Sequence, residues 1–144
     1  MYQQPWQSLG EFRPSIYQEE VIAAEFRRFL RLRRGFGLPF TFDDLYVEVR
    51  DPSQNNTIRA YDGDVSHWWH HDVGNDSDLV IWSTATPTEF RALDGTLFTP
   101  RPFEVVLVHN AICQHRMPAV ISEDRWFIRV IFLYGMEERK YVYL

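Results

Sequence analysis

The feature that most constrains the fold is a series of short apolar segments, separated by turn-forming residues, which begins near Leu38. Turn residues stand between these segments, for example Asp51-Pro52 and Asp62-Gly63-Asp64. Several short strands at such spacing are typical of an antiparallel barrel or sandwich. The predicted strands are 45–50, 57–61, 65–73, 79–85, 105–110, 114–117, 126–134 and 140–144. Residues 87–99 are expected to be an irregular excursion.

One helix is predicted before the strands. Ser15 and Gln18 have the spacing of a capping box. Gly35 and Gly37 are expected to end the helix. Residues 1–14 have no clear period and are expected to form an arm. The apolar face consists of Ile22, Phe26, Phe29 and Leu30. The last turns are crowded by Arg27, Arg28, Arg31, Arg33 and Arg34. Cations there complement the helix dipole, and we favour this interpretation over an anion or nucleic-acid patch.

Composition bounds the class of protein. A chain of 144 residues, 45% of them hydrophobic, is the size of one domain with a proper core. Residues 1–144 are therefore predicted to form a single, mainly β domain. We expect a jelly roll (double-stranded β-helix) with the N-terminal helix packed outside.

Charge and cysteine content limit the partners and the compartment. The net charge of −5 argues weakly against binding to a nucleic-acid backbone. The single cysteine, Cys113, fits a reducing compartment. No apolar run is long enough to span a membrane, and a signal-peptide pattern is lacking. A cytoplasmic monomer or homodimer without a membrane partner is expected.

His70 and Asp72 are candidates for metal ligation. They are separated by one residue within predicted strand 65–73, and this spacing points both side chains to one face. His115, on another strand, is the best candidate for a third ligand. Two histidines and one carboxylate in a facial arrangement hold non-haem Fe(II) and leave the opposite side of the metal open. The alternative is a packed histidine followed by a turn carboxylate before Gly74.

The remaining histidines are interpreted as structural. His71 alternates to the face opposite His70, and His67 lies at an odd offset from it. His109 belongs to a different predicted strand, from which it could support a ligand.

Arg125 and Arg129 are candidates for binding an anion. They are four residues apart, so on a strand they share one face. A guanidinium inside a barrel is costly unless it meets an anion, and a dicarboxylate would be a suitable partner. The alternative is that one or both lie in water at a strand end, paired with Glu123 or Asp124.

The segment Trp69-His70-His71-Asp72-Val73 resembles the W-H-x-D strand of the Fe(II)/2-oxoglutarate-dependent oxygenase superfamily, with local similarity to its taurine dioxygenase-like branch. Segments 105–110 and 114–118 resemble the strand and turn that carry the distal histidine of the family. The resemblance covers roughly residues 57–134. It implies that His70, Asp72 and His115 are the catalytic ligands of Fe(II).

The same resemblance implies a cosubstrate site. Arg125, ten residues after His115, lies where such enzymes hold the distal carboxylate of 2-oxoglutarate. Arg129 is similar to a second arginine that faces the cosubstrate or an anionic substrate in some members. Ser83, or Thr84 if the register differs, is implied to assist through its hydroxyl.

The resemblance implies a dioxygenase that uses O2 and 2-oxoglutarate and releases succinate and CO2. Its substrate would be an unidentified small molecule or modified residue, which it would hydroxylate or oxidatively demethylate. Asp72 favours these reactions over halogenation, because halogenases have a small residue at that position. Two features depart from the family. Only 43 residues separate Asp72 from His115, so the usual insertion over the substrate is missing, and Phe103-Glu104 stands where a Gly-Asp turn is usual.

Three other classes of protein are alternatives. A cupin-like metal-binding protein or sensor would want His-x-His and a downstream Glu, where this chain has His-x-Asp. A purely structural β-sandwich leaves the ordered triad and the inward arginines unexplained. A metal-dependent hydrolase would need a general-base motif such as H-E-x-x-H, which the sequence lacks.

Overall fold

The computed structural model describes residues 5–33, 47–54, 69–70, 78–109, 111–118 and 124–132. Over these ranges the protein is mainly β, with one helix and two antiparallel sheets, and the prediction of a β-rich fold is confirmed. In chain order the elements are β1 (Trp6–Glu11), α1 (Glu19–Arg31), β2 (Glu48–Arg50), β3 (Asp78–Ser83), β4 (Glu89–Ala92), β5 (Leu97–Phe98), β6 (Glu104–His109), β7 (Cys113–Arg116) and β8 (Phe127–Phe132).

The strands form a large sheet and a small sheet. The large sheet has the order β1-β6-β3-β8-β2, and the small sheet has the order β5-β4-β7. Strand β3 lies in the middle of the large sheet, antiparallel to β6 on one side and β8 on the other. All six of its residues are buried, which requires that both faces of the large sheet be covered.

The two faces of the large sheet carry separate cores because side chains alternate along each strand. On one face, Val80 and Trp82 pack with Phe26 of the helix, and we call this cluster the helix-side core. On the other face, Leu79 and Ile81 belong to a cluster that also contains residues of the small sheet, which we call the inter-sheet core. The small sheet contributes Phe90 and Cys113 to it. The two sheets therefore pack against each other across this second core.

Helix α1 forms where the apolar period predicted it, and its four apolar-face residues are all buried. The predicted N-cap at Ser15 is wrong, because the helix begins at Glu19 and Gln18 takes the cap position without a side-chain bond. Ser15 instead donates from its backbone N–H and its hydroxyl to Glu25, each at 2.9 Å. Beyond the helix, the Arg33 guanidinium donates to the carbonyls of Leu9 and Phe29. The predicted end at Gly35 and Gly37 lies outside the described residues, and the helix ends before it at Arg31.

The described helix is too short and too polar to cross a membrane.

The structure has strands in two segments where the sequence predicted none. The predicted arm contains β1, which pairs with β6 at the edge of the large sheet. The expected excursion at 87–99 contains β4 and β5, which belong to the small sheet. The prediction for the arm was wrong because β1 shows little apolar alternation, Leu9 being its one buried residue. The prediction for 87–99 was wrong because β4, although it alternates, has four residues and β5 has two. The predicted strands 57–61 and 140–144 lie outside the described residues.

We predict that truncating a buried helix residue destabilises the protein strongly. Phe26 is fully buried and its ring lies 5.1 Å from that of Phe12. Phe26→Ala should lower the free energy of unfolding by about 3–5 kcal/mol, since it removes buried area and leaves a cavity. Leu93→Ala, at a side chain that is 71% exposed, should change it by less than about 0.5 kcal/mol. Urea denaturation of both variants is the measurement, and equal losses would contradict the assignment of this core.

Candidate functional site

His70 and His115 are directly paired. The backbone N–H of each donates to the carbonyl of the other, at 3.1 and 2.9 Å, in an isolated antiparallel bridge. Residues paired in this way carry their side chains on the same face. His115 also pairs with Phe90 of the inter-sheet core, and it is buried. Both histidines therefore face the space between the two sheets.

The orientation of His70 is fixed by the residue before it. The ring of Trp69 lies against two guanidinium groups of the small sheet, 4.9 Å from that of Arg91 and 4.2 Å from that of Arg116. Arg116 is also bound to Glu89 at 2.8 Å. These arginines lie on the face of the small sheet that is opposite Phe90, because they alternate with the buried residues. Trp69 is thus held on the outer face, and His70 points inward.

The two imidazole rings lie next to each other. Their ring centroids are 4.4 Å apart with an interplanar angle of 59°. Adjacent ligands of an octahedral metal, with a metal–nitrogen bond of about 2.1 Å, place ring centroids about 4.6 Å apart. Asp72, the predicted carboxylate ligand, lies outside the described residues, as do His67 and His71. Within the described ranges, no three His, Cys, Asp or Glu side chains form a group that could hold a metal.

Arg125 is buried immediately before β8, with 1% of its surface exposed. Its Nε donates to the carbonyls of Ala85 and Thr86, at 3.2 and 3.0 Å. The guanidinium lies 4.9 Å from the ring of Phe127, which packs on the inter-sheet core. Burial, with a smaller contribution from the charge of Arg50, lowers the pKa of Arg125 to about 10, so it remains protonated at neutral pH. The alternative that Arg125 lies in water at a strand end is wrong.

Arg129 lies on β8 and contacts a carboxylate that the sequence analysis missed. Its Nη2 is 2.9 Å from Oε2 of Glu48, and Arg50 binds the other oxygen of the same carboxylate at 2.6 Å. Burial alone would raise the pKa of Glu48, but the hydrogen bonds and charges of Arg129 and Arg50 lower it below its usual range. Glu48 and Arg129 are directly paired across β2 and β8. This register could not be read from the sequence, because it depends on which strands become neighbours.

The hydroxyl side chains divide between the two faces. Ser83 is buried and pairs with Phe127 across β3 and β8, so it faces the inter-sheet core. The Thr84 hydroxyl accepts a hydrogen bond from the backbone N–H of Trp126 at 2.9 Å. The hydroxyl within reach of Arg125 belongs to Thr88, 3.3 Å from Nη2. Thr88 was missed because it lies in the segment that the sequence assigned to an irregular excursion.

Two further groups have structural roles. His109 lies with Nδ1 3.2 Å from Oδ1 of Asp78, at the paired ends of β6 and β3. Cys113 is fully buried in the inter-sheet core, and burial raises the pKa of its thiol to about 12. At neutral pH it is a neutral, apolar packing group rather than a nucleophile.

We predict that Trp69 positions His70 for metal binding. Trp69→Ala should weaken the affinity for Co(II) about tenfold or more, because outer residues that orient a ligand typically contribute this much. Trp69→Phe should restore most of the affinity, since a ring remains between the two guanidinium groups. Absorption titration is the measurement, with Leu97→Ala, an exposed position of the same sheet, as the control. An unchanged affinity in Trp69→Ala would show that the arginines do not orient His70.

A second prediction concerns the pH dependence of stability. Because the pKa of Glu48 is lowered on folding, its stabilising effect is present above its unfolded pKa and is lost as the pH falls through the folded value. Glu48→Gln should therefore be less stable than the wild type near neutral pH, and the difference should shrink as the pH falls. Chemical denaturation between about pH 7 and about pH 3 measures this difference. Glu20→Gln, on the exposed start of α1, is the control, and a pH-independent difference would contradict the prediction.

The chain was compared with protein-family models, with curated proteins and with solved structures, and none of the three comparisons finds a match. The assignment of function therefore depends on the residues described above.

Proposed function

We propose that this protein is an Fe(II)- and 2-oxoglutarate-dependent dioxygenase with a double-stranded β-helix fold. It hydroxylates or oxidatively demethylates an unidentified substrate and releases succinate and CO2. The observation that carries the proposal is the direct pairing of His70 and His115 on the inner side of the small sheet. An isolated bridge between strand β7 and a segment far from it in sequence thereby brings together the two histidines that the resemblance assigned to one metal.

In this proposal His70, Asp72 and His115 hold the iron. Two neutral imidazoles and one carboxylate offset part of the metal charge and leave positions open for exchangeable ligands. Bound iron and 2-oxoglutarate supply the oxidising chemistry, in which O2 is consumed and the cosubstrate is decarboxylated. The protein orients the reactants and excludes water, and the packed inter-sheet core beside His115 serves the second task.

Arg125 is the better candidate for the distal carboxylate of 2-oxoglutarate. Its guanidinium is buried and contacts Phe127, on the apolar core that also borders His115. The Thr88 hydroxyl beside it supplies the partner that the resemblance assigned to Ser83 or Thr84. Arg129 already binds the carboxylate of Glu48, and an anion there would compete with that pair.

One observation favours the second candidate function, a cupin-like metal-binding protein or sensor without turnover. The guanidinium of Arg125 is engaged by the Ala85 and Thr86 carbonyls, and that of Arg129 by Glu48. Because other parts of the protein already bind both guanidinium groups, a purely structural role accounts for these arginines just as well as cosubstrate binding does. The two functions differ in whether 2-oxoglutarate binds at the metal.

The test is an anaerobic titration of the metal-free protein with Fe(II) and then 2-oxoglutarate, followed by visible absorption. A weak charge-transfer band should form and should be lost in His70→Ala and His115→Ala. His109→Gln, which changes the histidine beside Asp78, should keep the band. Iron binding without a band would favour the cupin-like function, and a protein that binds no iron would not be an oxygenase.

We predict that the two arginines respond differently in the same titration. Arg125→Met should weaken 2-oxoglutarate binding by about 10- to 100-fold, because a charge-assisted hydrogen-bonded pair contributes about 1.5–3 kcal/mol. Arg129→Met should change it much less. The reverse result would assign the cosubstrate to Arg129, and equal small effects would remove both arginines from the site.

A further inference from the structure

A cleft of about 370 Å³ lies on the helix side of the large sheet. It is lined by Tyr17, Thr84, Ala85, Phe103, Asp124 and Trp126. The side chains of Phe103 and Trp126 pack against the helix-side core, whereas the two paired histidines face the inter-sheet core. The cleft is therefore a different place on the molecule from the candidate metal site.

Three aromatic side chains form the apolar part of this lining. The rings of Tyr17 and Trp126 have their centroids 5.7 Å apart and are tilted by 48°, so they form an open corner rather than a closed stack. Tyr17, two residues before the first residue of the helix, is 45% exposed. The face of an aromatic ring carries partial negative charge, so a ligand that lies between two such exposed rings contacts two negative π-surfaces.

The backbone of Phe103 is held in an unfavourable conformation. Its φ is +70°, in the left-handed region where a side chain with a Cβ is disfavoured and glycine is the usual residue. The resemblance to the oxygenase family implies a turn glycine at this position, where this chain has Phe103. The surrounding hydrogen bonds hold it there, since its N–H donates to the carbonyl of Ser83 at 2.9 Å. The surrounding structure therefore holds an unfavourable backbone conformation at the residue whose aromatic ring lines the cleft.

The aromatic lining already binds a cation of the protein itself. The guanidinium of Arg13 lies 4.0 Å from the centre of the Phe103 ring, while it also pairs with Glu11 at 2.7 Å. The carboxylate of Asp124 is part of the lining, and two more exposed acids, Glu19 and Glu20, follow Tyr17 in the first turn of the helix. Asp124 and the π-surfaces of the lining favour a positive ligand, whereas the guanidinium groups of Arg13 and Arg125 lie beside Phe103 and Ala85 and oppose one.

We propose that this cleft binds an organic cation of the alkylammonium class, with its charge against the Tyr17 and Trp126 rings and near Asp124. A quaternary or methylated ammonium suits the site, because it is weakly hydrated and gains from several ring faces at once. The proposal does not depend on the oxygenase function, since Tyr17, Trp126 and Asp124 are not among the proposed metal or cosubstrate residues.

The test is NMR titration of the full chain with choline, with the indole N–H resonance of Trp126 as the reporter. This resonance is assigned by its absence from Trp126→Phe. The matched control ligand is 3,3-dimethylbutan-1-ol, which has the shape of choline without its charge. Choline should bind about tenfold more tightly than the alcohol, the ratio that corresponds to about 1.4 kcal/mol of cation–π and charge interaction.

Variants separate the site from a general effect of charge. Tyr17→Ala and Asp124→Asn should each weaken choline binding at least threefold. Phe103→Gly removes the ring and introduces a residue that tolerates the left-handed backbone. It should also weaken choline binding at least threefold. Leu93→Ala, exposed and away from the cleft lining, should leave binding unchanged. Equal binding of the neutral alcohol would overturn the proposal in favour of a merely apolar cleft, and absence of binding to both would overturn it outright.

Discussion

The structure depends above all on the pairing of β3 between β6 and β8. Six consecutive buried residues in the middle of a sheet must have apolar partners on both faces, because neither face can remain in contact with water. Alternation sends Val80 and Trp82 toward the helix and Leu79 and Ile81 toward the small sheet. Trp82 also anchors the segment before the helix, since its indole N–H donates to the carbonyl of Phe12 at 2.9 Å. Because β3 is buried on both faces, the large sheet needs the helix on one side and the small sheet on the other.

The same alternation organises the candidate metal site. At the isolated bridge beside β7, an inward histidine follows an outward tryptophan, and the contacts of Trp69 with the Arg91 and Arg116 guanidinium groups hold its ring on the outer side. His115 is held by its pairing with Phe90 on one side and with His70 on the other. A ligand position made in this way is set by backbone hydrogen bonds rather than by a flexible loop. The backbone bridge therefore holds the two imidazoles next to each other, as the proposed metal site requires.

The sequence predicted the elements whose apolar period is strong. Helix α1 and the buried strand β3 belong to this class, and the bounds of β3 were predicted within two residues at each end. Edge strand β1 was missed because a strand with one buried residue gives no periodic signal. The role of Glu48 could not be predicted either, since a carboxylate has a defined partner only after the neighbours of its strand are known. The spacing in the sequence was enough to choose His70 and His115 as candidates. Their direct pairing could be known only from the register of the strands.

The end of β3 joins the two sides of the molecule. The carbonyl of Ser83 accepts from Phe103, and the Thr84 N–H donates to the carbonyl of Trp126, so this backbone supports the cleft. The carbonyl of Ala85, two residues after Ser83, accepts a hydrogen bond from the buried Arg125. A substitution within 83–86 would therefore disturb the cleft and the arginine site together. Side-chain substitutions at Tyr17, for the cleft, and at Arg125, for the proposed cosubstrate site, are needed to separate the effects. They leave the bonds from Phe103 to Ser83 and from Thr84 to Trp126 in place, although Arg125 also bonds to Ala85 of the cleft lining.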